Sequence, residues 1–252
     1  MNFDNKIAVI TGAAAGIGRA TADLFAARGA RILAIDRDAD GLSALADRGM
    51  ATLCADVTDS DLPEAVAGKI APMGGPLSIL VNNAGIGGGG RMLETSDDDL
   101  RRHFEVNVVG LFRLARFAVG EMKAAGGGSI VNVASIYAEV GATGSAGYSA
   151  SKGAVAALTR QMATDYGHDG IRVNAVAPGL IETPLTAERI RTEAWRHSIF
   201  VKQCPLQRVG QPDDVARAIA FLASDEAEFI SGETLRVDGG WAMGRFPREN
   251  QA

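Results

Sequence analysis

Short apolar runs alternate with helix-length amphipathic patterns along almost the whole chain, and this alternation constrains the fold more than any other feature. Strand-like runs fall at Ile7–Thr11, Arg31–Asp36, Ala51–Ala55, Ser78–Asn82, Ser129–Ala134, Ile171–Ala177 and Thr234–Val237. Helical patterns occupy Gly18–Arg28, about Ala39–Asp47, Asp61–Ile70, Asp97–Ala124, Gly147–Tyr166 and Asp213–Ala223. Strands that alternate with helices pair in parallel through βαβ units, with helices on both faces of the sheet. Several of the runs carry almost no polar alternation, as burial on both faces requires. The chain has 252 residues, 47% of them apolar, and no Pro/Ser-rich linker divides it. One α/β domain over residues 1–252 is expected, with a doubly wound sheet. The rhythm breaks between Leu180 and Gln211, a stretch with mixed charges, Pro184, Pro205, Trp195, His197 and Phe200. A long irregular connection in a compact domain is usually a lid or binding loop, so a substrate lid is expected at about 180–211.

Charge and composition exclude several functions. A net charge of −5 leaves no basic footprint, so nucleic acid is not an expected partner. No apolar run reaches the roughly 18 residues of a membrane span, and no charged-then-apolar leader precedes the first strand-like run. Cys54 and Cys204 are far apart and read as free thiols of a reducing cytoplasm. His103, His168 and His197 lack metal-ligand spacing, so no metal site is expected.

The first strand-like run leads into Thr11-Gly12-Ala13-Ala14-Ala15-Gly16-Ile17-Gly18 and then a helical pattern. A phosphate approaching the backbone needs missing Cβ atoms and the free N–H groups of a helix start. The spacing G-x-x-x-G-x-G departs from the usual dinucleotide G-x-G-x-x-G, and no Gly-Lys-Ser/Thr of a nucleoside-triphosphate loop follows. Asp36 closes the second run 18 residues after Gly18, where a dinucleotide fold places an acid on the adenosine ribose. Its carboxylate would repel a 2′-phosphate by about 4 kcal/mol at 4 Å with an effective dielectric near 20. Arg37 beside it could stack on adenine or meet a phosphate, but Ala15 offers no second cation. NAD is therefore favoured over NADP.

Tyr148 and Lys152 stand four residues apart in Gly147-Tyr148-Ser149-Ala150-Ser151-Lys152-Gly153. On a helix they share a face. A neighbouring ammonium favours phenolate, so the Tyr148 pKa is expected to fall from about 10 toward neutrality and suit proton exchange with a carbonyl or alcohol oxygen.

Together these residues resemble the short-chain dehydrogenase/reductase family over nearly the whole chain. The glycine loop matches the family's Thr-Gly-x-x-x-Gly-x-Gly, and Asn82-Asn83-Ala84-Gly85 matches its sheet-end motif. Asp56-Val57 is similar to its adenine-contacting pair. Pro178-Gly179, with Ile181 and Thr183 following, resembles the segment beside the nicotinamide. Asn107, Ser135, Tyr148 and Lys152 match the catalytic four. The resemblance implies a Rossmann-like fold with a seven-stranded parallel sheet, and a cofactor site drawn from Gly12, Ala15, Gly16, Ile17, Gly18, Asp36, Arg37, Asp56, Val57, Asn83, Ala84, Gly85, Tyr148, Lys152, Pro178, Gly179, Ile181 and Thr183. It implies that Tyr148 is the acid/base, that Lys152 lowers its pKa and holds the nicotinamide ribose, and that Ser135 bonds the substrate oxygen. Asn107 would anchor a water linking Lys152 to solvent. A homotetramer is also implied, with the helix after Tyr148 and Val237–Trp241 at its interfaces. Gly87-Gly88-Gly89-Gly90 is a local departure that strips one wall of the site of side chains.

For the substrate, Ser135 and Tyr148 mark the reacting oxygen, and Ile136, Leu180, Ile181 and the lid form the expected wall. Glu139, four residues past Ser135, could accept from the hydroxyls of a polyol or sugar. Arg189, Arg191, Arg196 and Lys202 could meet a carboxylate, but Glu182, Glu188 and Glu193 sit among them, as on a solvated helix face. The leading expectation is an NAD-dependent dehydrogenase of a small secondary alcohol or its ketone. The alternatives are an NADPH-dependent 3-oxoacyl-thioester reductase and a non-enzymatic dinucleotide-binding scaffold.

Overall fold

All seven strand-like runs form strands, with no end displaced by more than one residue: β1 (Ile7–Thr11), β2 (Arg31–Asp36), β3 (Ala51–Cys54), β4 (Leu77–Asn82), β5 (Gly128–Val133), β6 (Ile171–Pro178) and β7 (Thr234–Val237). The structure is a computed structural model that describes residues 1–244. The last eight residues of the expected domain, 245–252, lie outside the described residues. The strands make one parallel sheet in the order β3-β2-β1-β4-β5-β6-β7. The Rossmann-like, doubly wound reading is correct.

The helices α1 (Gly16–Ala27), α2 (Ala39–Ala46) and α9 (Pro212–Ala223) accompany one face; α3 (Leu62–Ile70), α5 (Gly110–Ala125) and α6 (Ala146–Tyr166) cover the other. Side chains alternate across a strand, and β1 divides accordingly. Ala8 and Ile10 join Phe25, Leu45, Val215 and Ile219; Ile7 and Val9 join Val66, Leu114, Met122 and Val155. Burial on both faces explains why β1 reads as a continuous apolar run.

Two elements differ from the sequence expectation. The pattern read as one helix over Asp97–Ala124 divides into α4 (Asp97–Phe104), a π-helical turn at Glu105–Val109, and α5. The Gly110 N–H reaches the Glu105 carbonyl, five residues back instead of four. The irregular 180–211 connection contains two short helices, α7 (Ala187–Thr192) and α8 (Ala194–Phe200). Its C-terminal half is pinned by a small core of Ile136, Phe200, Cys204 and Trp241, with the Trp241 indole donating to the Ile199 carbonyl at 2.7 Å.

A buried polar relay crosses the sheet beneath the cleft. Asn82 on β4 donates to Asn132 on β5 at 2.9 Å, and Asn132 donates to Thr159 on α6 at 2.9 Å. Asn132 and Thr159 are fully buried, so each bond replaces water that cannot enter. Asn132→Leu keeps the branched shape but leaves the Asn82 amide without its acceptor, at a cost of about 1–3 kcal/mol for the unpaired amide. Thr159 is left with its bond to the Val155 carbonyl. The urea midpoint should fall accordingly, with an unchanged slope; an unaltered midpoint would show that the relay carries no stability.

Candidate active site

The strand order reverses between β1 and β4, and at such a switch point the carboxyl ends part to leave a crevice. The crevice is a cleft of about 540 Å³. A hydrogen-bonded knot holds its floor. The Thr11 hydroxyl accepts from the Asn83 and Ala84 N–H groups at 3.0 Å each, and the Asn83 amide donates to the Thr11 and Gly12 carbonyls at 2.9 and 3.0 Å. Thr11 was legible only as part of the glycine motif, and its joining role depends on a contact 72 residues along the chain.

Gly12, Ala15, Gly16 and Ile17 line one end of the cleft. Gly12 has φ +65°, and a Cβ there would lie 2.7 Å from the Asn83 amide nitrogen. Gly18 lies behind the lining, where a Cβ would be driven into the Gly12 carbonyl. This glycine sets the close packing of helix on strand. The α1 N-cap makes no side-chain hydrogen bond, so the first N–H groups of the helix remain available to an anion.

Asp36 and Arg37 lie in the cleft lining as well. The Asp36 carboxylate accepts from the Ala14 N–H at 3.0 Å and the Asp38 N–H at 3.1 Å, which fixes its orientation. A carboxylate has about four acceptor sites, so two remain for a diol. Asp56 and Val57 also line the cleft. Hydrogen bonds from Thr58 hold the Asp56 carboxyl below its usual pKa.

Further along the cleft stand Ser135, Tyr148 and Lys152, with Ala84, Gly85, Pro178, Gly179 and Ile181, while Asn83 and Thr183 line it beside Gly12 and Gly16. Ser135 caps the end of β5, and its hydroxyl is in hydrogen-bond contact with Tyr148 and accepts from the Tyr137 N–H at 3.2 Å. Lys152 is 5% exposed, and its ammonium donates to the Val133 carbonyl at 2.7 Å, 5.9 Å from the Tyr148 ring centre. Burial lowers its pKa from 10.5 to about 8. The Tyr148 pKa is raised by burial, partly offset by the Ser135 hydrogen bond. The expected fall toward neutrality is therefore corrected for the protein without cofactor: desolvation outweighs a lysine whose own charge is penalised by the same burial.

Asn107 and Glu139 do not line the cleft. Asn107 is buried in the π-helical turn, where its side chain accepts from the Ile86 N–H at 2.8 Å and donates to the Ile86 carbonyl and the Ser151 hydroxyl. A Cβ on Gly85 would meet Asn107 Oδ1 at 3.0 Å and Lys152 Nζ at 3.4 Å, so only this glycine's small volume separates the amide from the ammonium. Glu139 is paired with Arg236 of β7, which corrects its expected role as a free acceptor for substrate hydroxyls. Ile136 is buried beneath the lid and Leu180 lines a separate cavity. Residues not anticipated from the sequence that line the cleft include Ile86, Arg102 and Val106, while Pro184 and Leu185 belong to the expected lid.

Glycine loop, helix start, fixed acid and a cleft ending in Ser135, Tyr148 and Lys152 fit a nicotinamide dinucleotide and define an oxidoreductase site. The chain belongs to the short-chain dehydrogenase/reductase family. The family profile described as enoyl-(acyl carrier protein) reductase matches residues 12–242. The chain is 44% identical over 245 residues to cis-4-hydroxycyclohexanecarboxylate dehydrogenase of Sinomonas cyclohexanicum, covering 95% of this chain and 97% of that protein. It is 39% identical over 246 residues to 3-oxoacyl-[acyl-carrier-protein] reductase of Escherichia coli (strain K12), covering 96% and 100%. The solved 7α-hydroxysteroid dehydrogenase complex with NADH and 7-oxo glycochenodeoxycholic acid superposes with a TM-score of 0.88, at 37% identity and 95% coverage of each chain. The protein is thus an oxidoreductase of this family with a dinucleotide cofactor. No helix among the described residues is long and apolar enough to cross a membrane.

The depressed Lys152 pKa has a stability consequence. Between about pH 8 and 10.5 the unfolded state binds more protons than the folded state at this residue, so its contribution to stability rises with pH. Below pH 8 the burial penalty is fully present. In the cofactor-free protein, Lys152→Met should therefore gain most over wild type below pH 8, with the difference shrinking toward pH 10. Urea titrations across that range check this; a pH-independent difference would contradict it.

Proposed function

We propose that the protein is an NAD-dependent dehydrogenase that interconverts a small secondary alcohol and its ketone. The observation that carries this reading is the convergence of Ser135, Tyr148 and Lys152 three strand spacings, about 14 Å, from the acid Asp36, along one cleft. The dinucleotide would supply the hydride acceptor or donor. Tyr148 takes the proton from the alcohol oxygen in oxidation and returns one to the carbonyl oxygen in reduction. Ser135 holds that oxygen beside the phenol. Lys152 anchors the ribose of the nicotinamide half and keeps a cation near Tyr148, and Asn107 orders the polar path behind it.

Asp36 supports NAD, because both its oxygens are held by backbone N–H groups and cannot swing away from a 2′-phosphate. The cyclohexane-acid dehydrogenase named above also acts on a secondary alcohol, as its name states. NADPH-dependent reduction of a 3-oxoacyl thioester is the second reading, favoured by the likeness to the Escherichia coli reductase. The polyol form of the first reading loses its support with Glu139 engaged by Arg236. A homotetramer is part of the proposal, to be checked by sedimentation.

Two kinetic tests follow. Tyr148→Phe should lower kcat by about 10²–10⁴-fold while NAD affinity stays nearly constant, since only the positioned proton is removed. More than a tenth of wild-type turnover in that variant would reject the mechanism. Asp36→Ala should weaken NAD and relieve rejection of NADP, measured as kcat/KM for both cofactors. The assay panel should contain 4-hydroxycyclohexanecarboxylate, its carboxamide, 2,3-butanediol and a 3-oxoacyl thioester. A wild type that prefers NADP and the thioester would replace the first reading with the second.

A further inference from the structure

We infer that Arg189 is the residue that selects the substrate, by binding a carboxylate carried on the small alcohol; this rests on the dehydrogenase reading above. The Gly87–Gly90 run leaves the catalytic end of the cleft and passes beneath the lid. Gly85 lies against Lys152, a Cβ on Gly87 would meet the cleft-lining Leu185 at 3.6 Å, and a Cβ on Gly88 would meet the Arg189 guanidinium at 3.2 Å. Gly88 has φ +103°, a backbone conformation that side chains rarely adopt, so the run keeps this wall bare by conformation as well as by composition. Gly88 follows directly on Gly87, so the glycine that meets the guanidinium stands one residue step, about 3.8 Å along the backbone, beyond the one that meets the cleft-lining Leu185.

Charge makes the assignment specific. Of the acids near the lid, Glu193 holds Arg196, Glu182 accepts from Gln211 and Glu139 holds Arg236, while Glu188, beside Arg189 on the same short helix, makes no ion pair among the described residues. Glu94, at the far end of the glycine run, accepts from the Arg91 N–H. Among the described residues, the Arg189 guanidinium makes no hydrogen bond or ion pair, though its backbone carbonyl accepts from the Glu193 N–H at 2.9 Å. An exposed guanidinium over a wall without side chains presents its planar donors to a carboxylate, a match that lysine reproduces only as a point charge. Of the lid cations, Arg196 is paired, and Arg189 is one that a side chain on the glycine run would meet.

The test uses Arg189→Gln and Arg189→Lys, with Arg191→Gln, on the same short helix, as the control. With 4-hydroxycyclohexanecarboxylate and NAD, Arg189→Gln should raise KM about 10- to 100-fold with little change in kcat. Arg189→Lys should recover part of the loss and Arg191→Gln should match wild type. With the neutral carboxamide, all four proteins should agree within about threefold. Equal losses on acid and amide, or no loss on either, overturn the inference while leaving the dehydrogenase reading intact. A second measurement is independent of turnover: in the presence of NADH, cyclohexanecarboxylate should raise the melting temperature of wild type but not of Arg189→Gln. If no alcohol is oxidised but this difference persists, the dehydrogenase reading fails and the carboxylate site stands; if both proteins respond equally, Arg189 is not the site.

Discussion

The hydroxyl of Thr11 holds together the point at which the fold becomes a binding site. It accepts from two successive backbone N–H groups beyond β4, while the Asn83 side chain returns two hydrogen bonds to the carbonyls at the end of β1. Without these bonds, the switch point would leave several buried polar groups unpaired at the place where strands separate. With them, the glycine loop and the segment leading to Gly85 become one rigid floor. Gly12 can then turn without a Cβ, α1 can begin where an anion needs its N–H groups, and Gly85 can pass between Asn107 and Lys152.

Burial governs the chemistry at the catalytic end. Tyr148 and Lys152 are removed from water together, and desolvation opposes the charged form of each: the phenol is pushed up and the ammonium down. Simple proximity of a cation to a phenol predicts the opposite for Tyr148. The Lys152 ammonium is turned to the Val133 carbonyl, so part of its hydrogen-bonding capacity is spent on the sheet. The pair is poised to respond to whatever charge enters the cleft, because in a medium of low dielectric a new charge acts on both groups with little screening.

Much of this was legible in the sequence, and what was not shares one cause. Strands buried on both faces announce themselves as apolar runs, and the glycine loop, Asp36, Ser135, Tyr148 and Lys152 lie at strand ends or on one helix face, where local spacing places them. Contacts distant along the chain could not be read in this way. Glu139 meets Arg236 across 97 residues, and Asn132 meets Thr159 across 27. The sign of the Tyr148 shift depends on burial supplied by the whole domain. The π-helical turn was missed because inserting one residue into an amphipathic pattern leaves its apolar face nearly continuous. Asn132 did carry a signal: an amide within an otherwise apolar strand requires a buried partner.

The lid shows how selectivity can be separated from catalysis in this architecture. Its C-terminal half is fixed to the domain by Phe200, Cys204 and Trp241. Its N-terminal half rests instead on the glycine loop: a Cβ on Gly16 would lie 3.2 Å from the Thr183 side chain. Thr183 and the glycine loop are therefore neighbours, while the far end of the lid is anchored to the Phe200–Trp241 core. Ser135 follows the end of β5, and Tyr148 and Lys152 lie on α6, all outside the lid. The lid starts from a bridge of Ile181 to Gly210 and is fixed again at the Phe200–Trp241 core. Substitutions in the lid can alter what is bound without disturbing Ser135, Tyr148 or Lys152, since no hydrogen bond of those three residues passes through it.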